Sequence, residues 1–309
     1  MKILCITPIK HLNGVFTELS KHGDVKYQPD FTRSDLKSYL NKNDVDWIFT
    51  NPNKQNFILD GSILKGSSIK GINTASTGLN HIDLDYCEEN NIEVWSLKDD
   101  YELINDLPST SELAFGLMMS LLRKIPSGFD HVKRGDWDYE PFVGHQVKGK
   151  TIGVVGYGRL GKIMCRLFDG WNVNLLGYDP NEFVTTARGV PLNDLLKESD
   201  VVFLHVHVTN DTRGMVDEEF LSKMKKGSYL INTSRGELVD EDSIIKSISD
   251  GHLHGYGTDV IADEFGEIQK SKLVEMSRFS DKIIITPHVG GMTIEGQTKA
   301  YQWAVRKFK

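Results

Sequence analysis

Short β-branched runs alternate with longer amphipathic stretches along most of the chain, the pattern of βα units wound about a parallel sheet. Apolar runs near Lys2 to Ile6, Val45 to Phe49, Ile69 to Asn73 and Ile92 to Val94 predict strands with helices between them, one small α/β unit. In "NDLPSTSELAFGLMMSLLR", Pro108 and the box Ser109-x-x-Glu112 mark a helix start, the serine oxygen accepting a free backbone N–H and the glutamate reaching back. That helix is expected to run to about Arg134. A second series then begins at "HQVKGKTIGVVGYG", with six strand candidates: Thr151 to Val155, Val173 to Tyr178, Val201 to His205, Tyr229 to Asn232, Gly255 to Val260 and Ile283 to Thr286. Six strands with intervening helices fit a full doubly wound dinucleotide fold. Thr293 to Phe308 predicts a closing helix, with Arg306, Lys307 and Lys309 at the negative end of its dipole. No internal repeat or low-complexity linker interrupts the pattern.

The 309 residues, 39% of them hydrophobic, allow a sizeable core and sit more comfortably as two domains than as one. Lys+Arg 36 against Asp+Glu 43 gives a formal net charge of -7, a field that repels phosphate backbones and anionic lipid and argues against nucleic acid as a partner. Cys5, Cys87 and Cys165 lie far apart without a C-x-x-C, so neither a disulfide framework nor a thiolate metal site is expected, and reduced thiols of a cytoplasm are. "MKILCITPIK" is too short for a signal-peptide core, and "LAFGLMMSLL" falls short of the roughly 20 residues a membrane span needs. The expectation is a soluble cytoplasmic protein with no membrane partner.

The strand "TIGVV" runs into G-x-G-x-x-G and opens the helix "RLGKIMCRLF", which begins with Arg159 and Leu160. Glycines in this spacing also serve tight turns with no ligand present, so the context decides. Here the backbone N–H groups at a helix start can face an anion. Gly156 permits the turn, Gly158 lets a pyrophosphate approach the backbone, and Gly161 lets helix and strand pack closely. About 20 residues further on, Asp179 ends "VNLLGYD", where a carboxylate accepts from the adenosine ribose hydroxyls and repels a 2′-phosphate. No arginine occurs before Arg188 to reverse that preference, so NAD is favoured over NADP.

Arg235 in "LINTSRGELVDEDSI", Asp259 and Glu264 in "GTDVIADEFG", and His288 in "IIITPHVGG" all follow strand candidates, at the edge where ligands bind in such sheets. The set suits reduction of a 2-keto acid. A guanidinium grips a carboxylate bidentately, and a histidine hands a proton to the carbonyl oxygen as hydride arrives. Glu264 beside the imidazole orients it and favours its charged form.

With these motifs the chain resembles the D-isomer-specific 2-hydroxyacid dehydrogenases, which include phosphoglycerate dehydrogenases and glyoxylate/hydroxypyruvate reductases. The resemblance runs from about Gly71 to Gly296, through "STGLNHID", "STSELAFGLMMSLLR", "GKTIGVVGYGRLGK", "GYDP", "HVHVTNDTRGMV", "INTSRGELVDEDSI", "GTDV" with Glu264, and "TPHVGG". It implies a catalytic Arg235, Glu264 and His288, and substrate carboxylate binding by backbone N–H groups at Ser76, Thr77 and Gly78. It places Thr110, Val206, Thr233, Ser234, Asp259 and Gly290 on the nicotinamide side, and His207 and Thr212 also beside the cofactor. It further implies two Rossmann-like domains: a doubly wound parallel-sheet NAD-binding domain over 99–287, and a smaller flavodoxin-like substrate domain over 1–98 completed by a C-terminal helix over 288–309. A homodimer through the helix from Ser109 is expected by the same association.

The chain departs from the family pattern in places. Where H-x-P-L-T is usual, it has His205, Val206, His207, Val208 and Thr209, a histidine replacing the proline that lines the cofactor pocket. Thr110, Ser111 and Glu112 stand where Val-Ala-Glu is common. Ahead of the turn at Gly78, the stretches "IFTNPNKQNF" and "NTASTG" offer only Lys54 as a positive charge, which argues against a phosphorylated substrate. The chain also ends at "QWAVRKFK", which suggests a trimmed substrate domain.

His205 with His207, and His252 with His254, would share a face as metal ligands, but no cysteine or carboxylate cluster accompanies either pair, and no metal is expected. Trp137 is expected to pack a domain junction and Met118 and Met119 to lie in the core. The leading expectation is an NAD-dependent oxidoreductase on a small 2-keto or D-2-hydroxy acid. A non-catalytic NAD(H)-sensing regulatory protein of the same fold is the alternative, and a cofactor-binding remnant a third.

Overall fold

The computed structural model describes residues 1–52 and 57–308; Lys54 and Lys309, named above for their charges, lie outside the described residues. The chain divides into two compact units, one of Met1–Leu107 with the chain from Met292 onward, the other Pro108–Gly291. The sequence suggests cuts after residues 98 and 287. The difference has a local cause at each end: Leu103 and Ile104 join the first unit's core, while the N–H groups of Val289 and Gly290 are tied to Asp259 in the second.

The first unit is a five-stranded parallel sheet of β1 (Lys2–Cys5), β2 (Asp24–Tyr27), β3 (Trp47–Thr50), β4 (Gly71–Thr74) and β5 (Glu93–Trp95), in the order β2-β1-β3-β4-β5. This is the flavodoxin order. The sequence pattern misses β2, "DVKY", because it is a short edge strand that alternates exposed and half-buried residues and so lacks an apolar run. Alternate residues feed two layers, Ile3, Cys5 and Phe49 on one side and Leu4, Ile48 and Ile72 on the other. The helix Ile294–Val305 closes the first side with Tyr301, Ala304 and Val305, followed by Phe308. Each aliphatic or aromatic side chain so buried contributes about 2 kcal/mol. The Thr293 hydroxyl caps this helix by accepting from Gly296 N–H at 3.0 Å.

The second unit is a seven-stranded parallel sheet of β6 (Thr151–Val155), β7 (Asn174–Tyr178), β8 (Arg188–Gly189), β9 (Val201–Leu204), β10 (Ser228–Asn232), β11 (Leu253–Thr258) and β12 (Ile283–Ile285), ordered β12-β11-β10-β9-β6-β7-β8. The expected six strands are joined by β8, two exposed residues with no apolar signal. Strand order reverses at β6, which pairs with β7 on one side and β9 on the other, making its carboxyl end the switch point where such sheets bind ligands.

The single long helix expected from Ser109 to Arg134 is two helices, Ser109–Leu122 and Ile125–Lys133, because Lys124 turns the chain at φ +50°. Pro126 fits the first turn of the second helix, where no N–H is needed. Nor does Ser109 cap the first: Pro108 holds the cap position and its carbonyl accepts from Glu112 N–H. Leu117 and Leu121 of this helix lie on β11, where a Cβ at Gly255 or Gly257 would come within 3.3 Å of them. Met118 is fully buried here, whereas Trp137, expected to be packed, is 90% exposed. Among the described residues no helix is long and apolar enough to cross a membrane.

Candidate active site

The glycine turn joins β6 to the helix Arg159–Leu167. Gly156 has φ +93°, and a Cβ there would lie 2.3 Å from the His205 carbonyl oxygen. A Cβ on Gly161 would meet the Gly156 carbonyl oxygen even more closely, so that glycine is required by packing. At Gly158 a Cβ would meet nothing within 4 Å: this position faces open space. Gly158 is also the helix cap and gives no side-chain acceptor, so the first N–H groups of the helix are directed at that space without a cap. Arg159 is mostly shielded from water, and burial pulls its guanidinium pKa below its usual value. The Leu160 carbonyl accepts from the Ser111 hydroxyl at 3.1 Å, tying the turn to the helix Ser109–Leu122.

Asp179 follows β7 and faces the turn. Its Oδ2 accepts from Tyr157 N–H at 2.8 Å, and its Oδ1 from Asn181 N–H at 2.8 Å and Glu182 N–H at 3.1 Å. A carboxylate has about four acceptor sites, so three bonds leave one, on Oδ2, for a ribose hydroxyl. Tyr178 and Pro180, on either side of Asp179, line a cavity of about 400 Å³ together with Gly156, Val206, Thr212 and Phe220. The cavity is mainly apolar, as an adenine ring requires. His207 is exposed and outside the lining; its carbonyl accepts from the Thr212 hydroxyl at 2.6 Å. His205 points inward instead, and burial pushes its pKa down to about 3.

At the ends of β10, β11 and β12 the second group of residues assembles. His288 Nδ1 lies 2.7 Å from Glu264 Oε2, and the His288 backbone has φ +53°, a left-handed conformation that a non-glycine residue holds only under constraint. The constraint is visible. His288 N–H donates to the carbonyls of Asp259 and Thr286, and the Asp259 carboxylate accepts from the next two N–H groups, Val289 at 2.8 Å and Gly290 at 2.7 Å, and from the Thr286 hydroxyl at 2.6 Å. Burial raises the Asp259 pKa, with these hydrogen bonds opposing the rise. Thr110 lies against Gly290, where a Cβ would come within 3.3 Å of its side chain.

Arg235 follows β10, half-buried, with Nη1 donating to the Ser234 carbonyl at 2.7 Å and its own carbonyl accepting from Asn232 Nδ2 at 2.9 Å. A Cβ on Gly236, the next residue, would collide with the backbone of Ile261 and Ala262, so only glycine fits where the chain after Arg235 passes the segment leading to Glu264. Ser234 is pinned by its hydroxyl to the Leu204 carbonyl at 2.8 Å, and Thr233 is 5% exposed. All these residues belong to the second unit. Ser76, Thr77 and Gly78 belong to the first, in the turn after β4.

The sequence pattern does not reveal Thr286, whose place in "TPH" gives no sign that its hydroxyl serves Asp259. Nor does it reveal Tyr157, whose hydroxyl accepts from Thr185 N–H at 3.1 Å and Thr186 N–H at 2.7 Å and so fastens the segment after Asp179 to the glycine turn. No short-range pattern signals either one. His252 and His254, weighed as metal ligands, are engaged otherwise: His252 Nε2 contacts the Met224 carbonyl and the His254 ring packs on Tyr229.

Residues 6–103 match the family model described as D-isomer specific 2-hydroxyacid dehydrogenase, catalytic domain, and residues 115–290 the one described as its NAD binding domain. A D-3-phosphoglycerate dehydrogenase of Methanocaldococcus jannaschii is 30% identical over 97% of this chain, and a hydroxypyruvate reductase of Thermotoga maritima 32% identical over 76%. The chain spans 55% of the length of the first and 74% of the second. A D-lactate dehydrogenase of Aquifex aeolicus, solved with NAD and lactic acid, superimposes over 99% of this chain and 94% of its own, with a TM-score of 0.78 and 26% identity.

Proposed function

Since the chain belongs to the D-isomer specific 2-hydroxyacid dehydrogenase family, we propose that it reduces a small 2-keto acid to the D-2-hydroxy acid, or runs the reverse, with NAD. The observation that carries this reading is the 2.7 Å His288–Glu264 pair, set on the strand-end rim that also bears Arg235. The residues fit the dinucleotide: open space at Gly158 before an uncapped helix, an apolar cavity for the base, and Asp179 with one acceptor site left for the ribose. When bound, the reduced cofactor supplies the hydride.

In the second unit Arg235 binds carboxylate and polarises the carbonyl; in the first unit the N–H groups at Ser76, Thr77 and Gly78 are carboxylate donors in their own right. With Nδ1–H directed to Glu264, the His288 Nε2 edge delivers a proton to the carbonyl oxygen. Asp259 holds the His288 turn, and Thr110, Thr233, Ser234 and Gly290 line the nicotinamide side. The Asp179 charge favours NAD over its 2′-phosphorylated form.

The protein acts as a homodimer. Ile125, Phe129 and Val132 recur on one face of their helix at 52%, 63% and 50% exposure, and Trp137, Tyr139 and Val143 in the segment that follows are exposed as well, apolar surface of the kind that marks an interface. Three separate buried thiols accord with a cytoplasmic location. The test is NADH oxidation with glyoxylate, hydroxypyruvate, pyruvate, 2-oxoglutarate and larger 2-keto acids. Turnover on at least one is expected, falling by about 10²-fold or more in Arg235→Ala and in His288→Ala; no turnover on any, or full activity in either variant, would overturn the proposal.

A further inference from the structure

His81 is fully buried in the first unit, behind the turn at Ser76, Thr77 and Gly78. Its Nε2 lies 2.9 Å from the Thr74 hydroxyl, that hydroxyl 2.9 Å from the Ser76 hydroxyl, and the Ser76 hydroxyl donates to the Gly78 carbonyl at 2.8 Å. Proton counting fixes the direction of this chain. Ser76 has one hydroxyl proton and gives it to Gly78, so it accepts from Thr74; Thr74 has then given its own, so it accepts from His81 Nε2–H. Burial pulls the His81 pKa down to about 4, so the ring is neutral at ordinary pH and has one N–H. Its Nδ1 is the bare nitrogen and has no hydrogen-bond partner among the described residues. A buried, half-satisfied imidazole is costly compared with a methionine or leucine in the same space. Its backbone is fixed too, the His81 carbonyl accepting from Leu59 N–H at 2.9 Å.

We infer that His81 is a positioning residue for substrate: through Thr74 and Ser76 it holds the Gly78 carbonyl, fixing the Gly78–Leu79 peptide and so anchoring the far end of the turn whose N–H groups meet the substrate carboxylate. Leu97 N–H, donating to the Ser76 carbonyl at 2.9 Å, holds the other side of the turn. The inference rests on the proposed function for the identity of the ligand, but the relay itself does not.

Two readouts separate the two claims. In steady-state kinetics, His81→Met and Thr74→Val are expected to raise the KM for the keto acid about tenfold, with kcat and the NADH Kd within about twofold of wild type. His81→Gln, which keeps a donor near the Nε2 position, is expected to restore KM to within about threefold. An unchanged KM in folded Met and Val variants, or a Gln variant no better than Met, would overturn the inference. Nitrogen NMR of the wild-type ring is expected to find the Nε2–H tautomer, and an Nδ1–H tautomer would overturn the relay even where variants fail to fold. Absence of wild-type turnover would count against the functional reading, leaving the tautomer to decide the relay.

Discussion

Three glycines follow β6, two in the turn and Gly161 in the first turn of the helix, and the structure assigns them different burdens that alanine can separate. At Gly156 and Gly161 a new methyl would strike backbone atoms that cannot swing away, 2.3 Å from the His205 carbonyl at the first and in closer collision with the Gly156 carbonyl at the second, and Gly156 also has φ +93°. Overpacking against fixed atoms costs about 1–3 kcal/mol or more, and forcing alanine to positive φ adds about 1 kcal/mol. At Gly158 the methyl meets nothing within 4 Å and φ is -69°, so folding loses nothing and gains up to about 1 kcal/mol from a stiffer unfolded chain. The same methyl stands in the space assigned to the pyrophosphate, where a clash of about 1.4–2.8 kcal/mol weakens NADH binding about 10- to 100-fold. Thermal unfolding beside an NADH fluorescence titration measures both. Gly158→Ala is expected to melt at or above wild type and bind NADH poorly, while Gly156→Ala and Gly161→Ala melt lower. A Gly158→Ala variant that folds and binds NADH at wild-type affinity would refute the placement of the dinucleotide.

Two further outcomes follow from buried imidazoles and from the histidine pair. His81 and His205 have folded pKa values pulled down to about 4 and about 3 by burial, so the unfolded chain binds protons the folded one does not below about pH 6.5; stability is complete above that pH and falls as acid is added, by about 2 kcal/mol in each unit at pH 5. Urea midpoints at pH 7.5 and pH 5 measure this, and equal stability at both would contradict neutral buried rings. Glu264→Gln removes the charge 2.7 Å from His288 Nδ1 and is expected to lower kcat about 10²-fold with NADH affinity unchanged; a parallel loss of NADH binding would make the pair a structural one.

Strongly periodic parts of the chain are legible in the residue pattern alone: the apolar strands, the glycine turn and the ordered motifs at strand ends. What stays hidden there is set by groups distant in sequence or by single backbone angles. Strand β2 has no apolar run because it lies at a sheet edge, and the break at Lys124 is one residue's φ inside an otherwise helical pattern. The left-handed backbone at His288 and the three bonds to Asp259 that sustain it join residues some thirty positions apart, which no spacing rule registers. The relay from His81 to Gly78 is equally silent, since "STGLNHID" shows its residues but not that their side chains meet.

The proposed reaction transfers hydride to C2 of a keto acid, giving the D alcohol. Supplying NADH deuterated at C4 on the transferred face, with whichever keto acid turns over fastest, and determining the label and configuration of the product tests it most directly. One deuterium at C2 of the D-2-hydroxy acid is expected; an L product, or NADH bound tightly with no label transferred to any 2-keto acid, would overturn the proposed reaction.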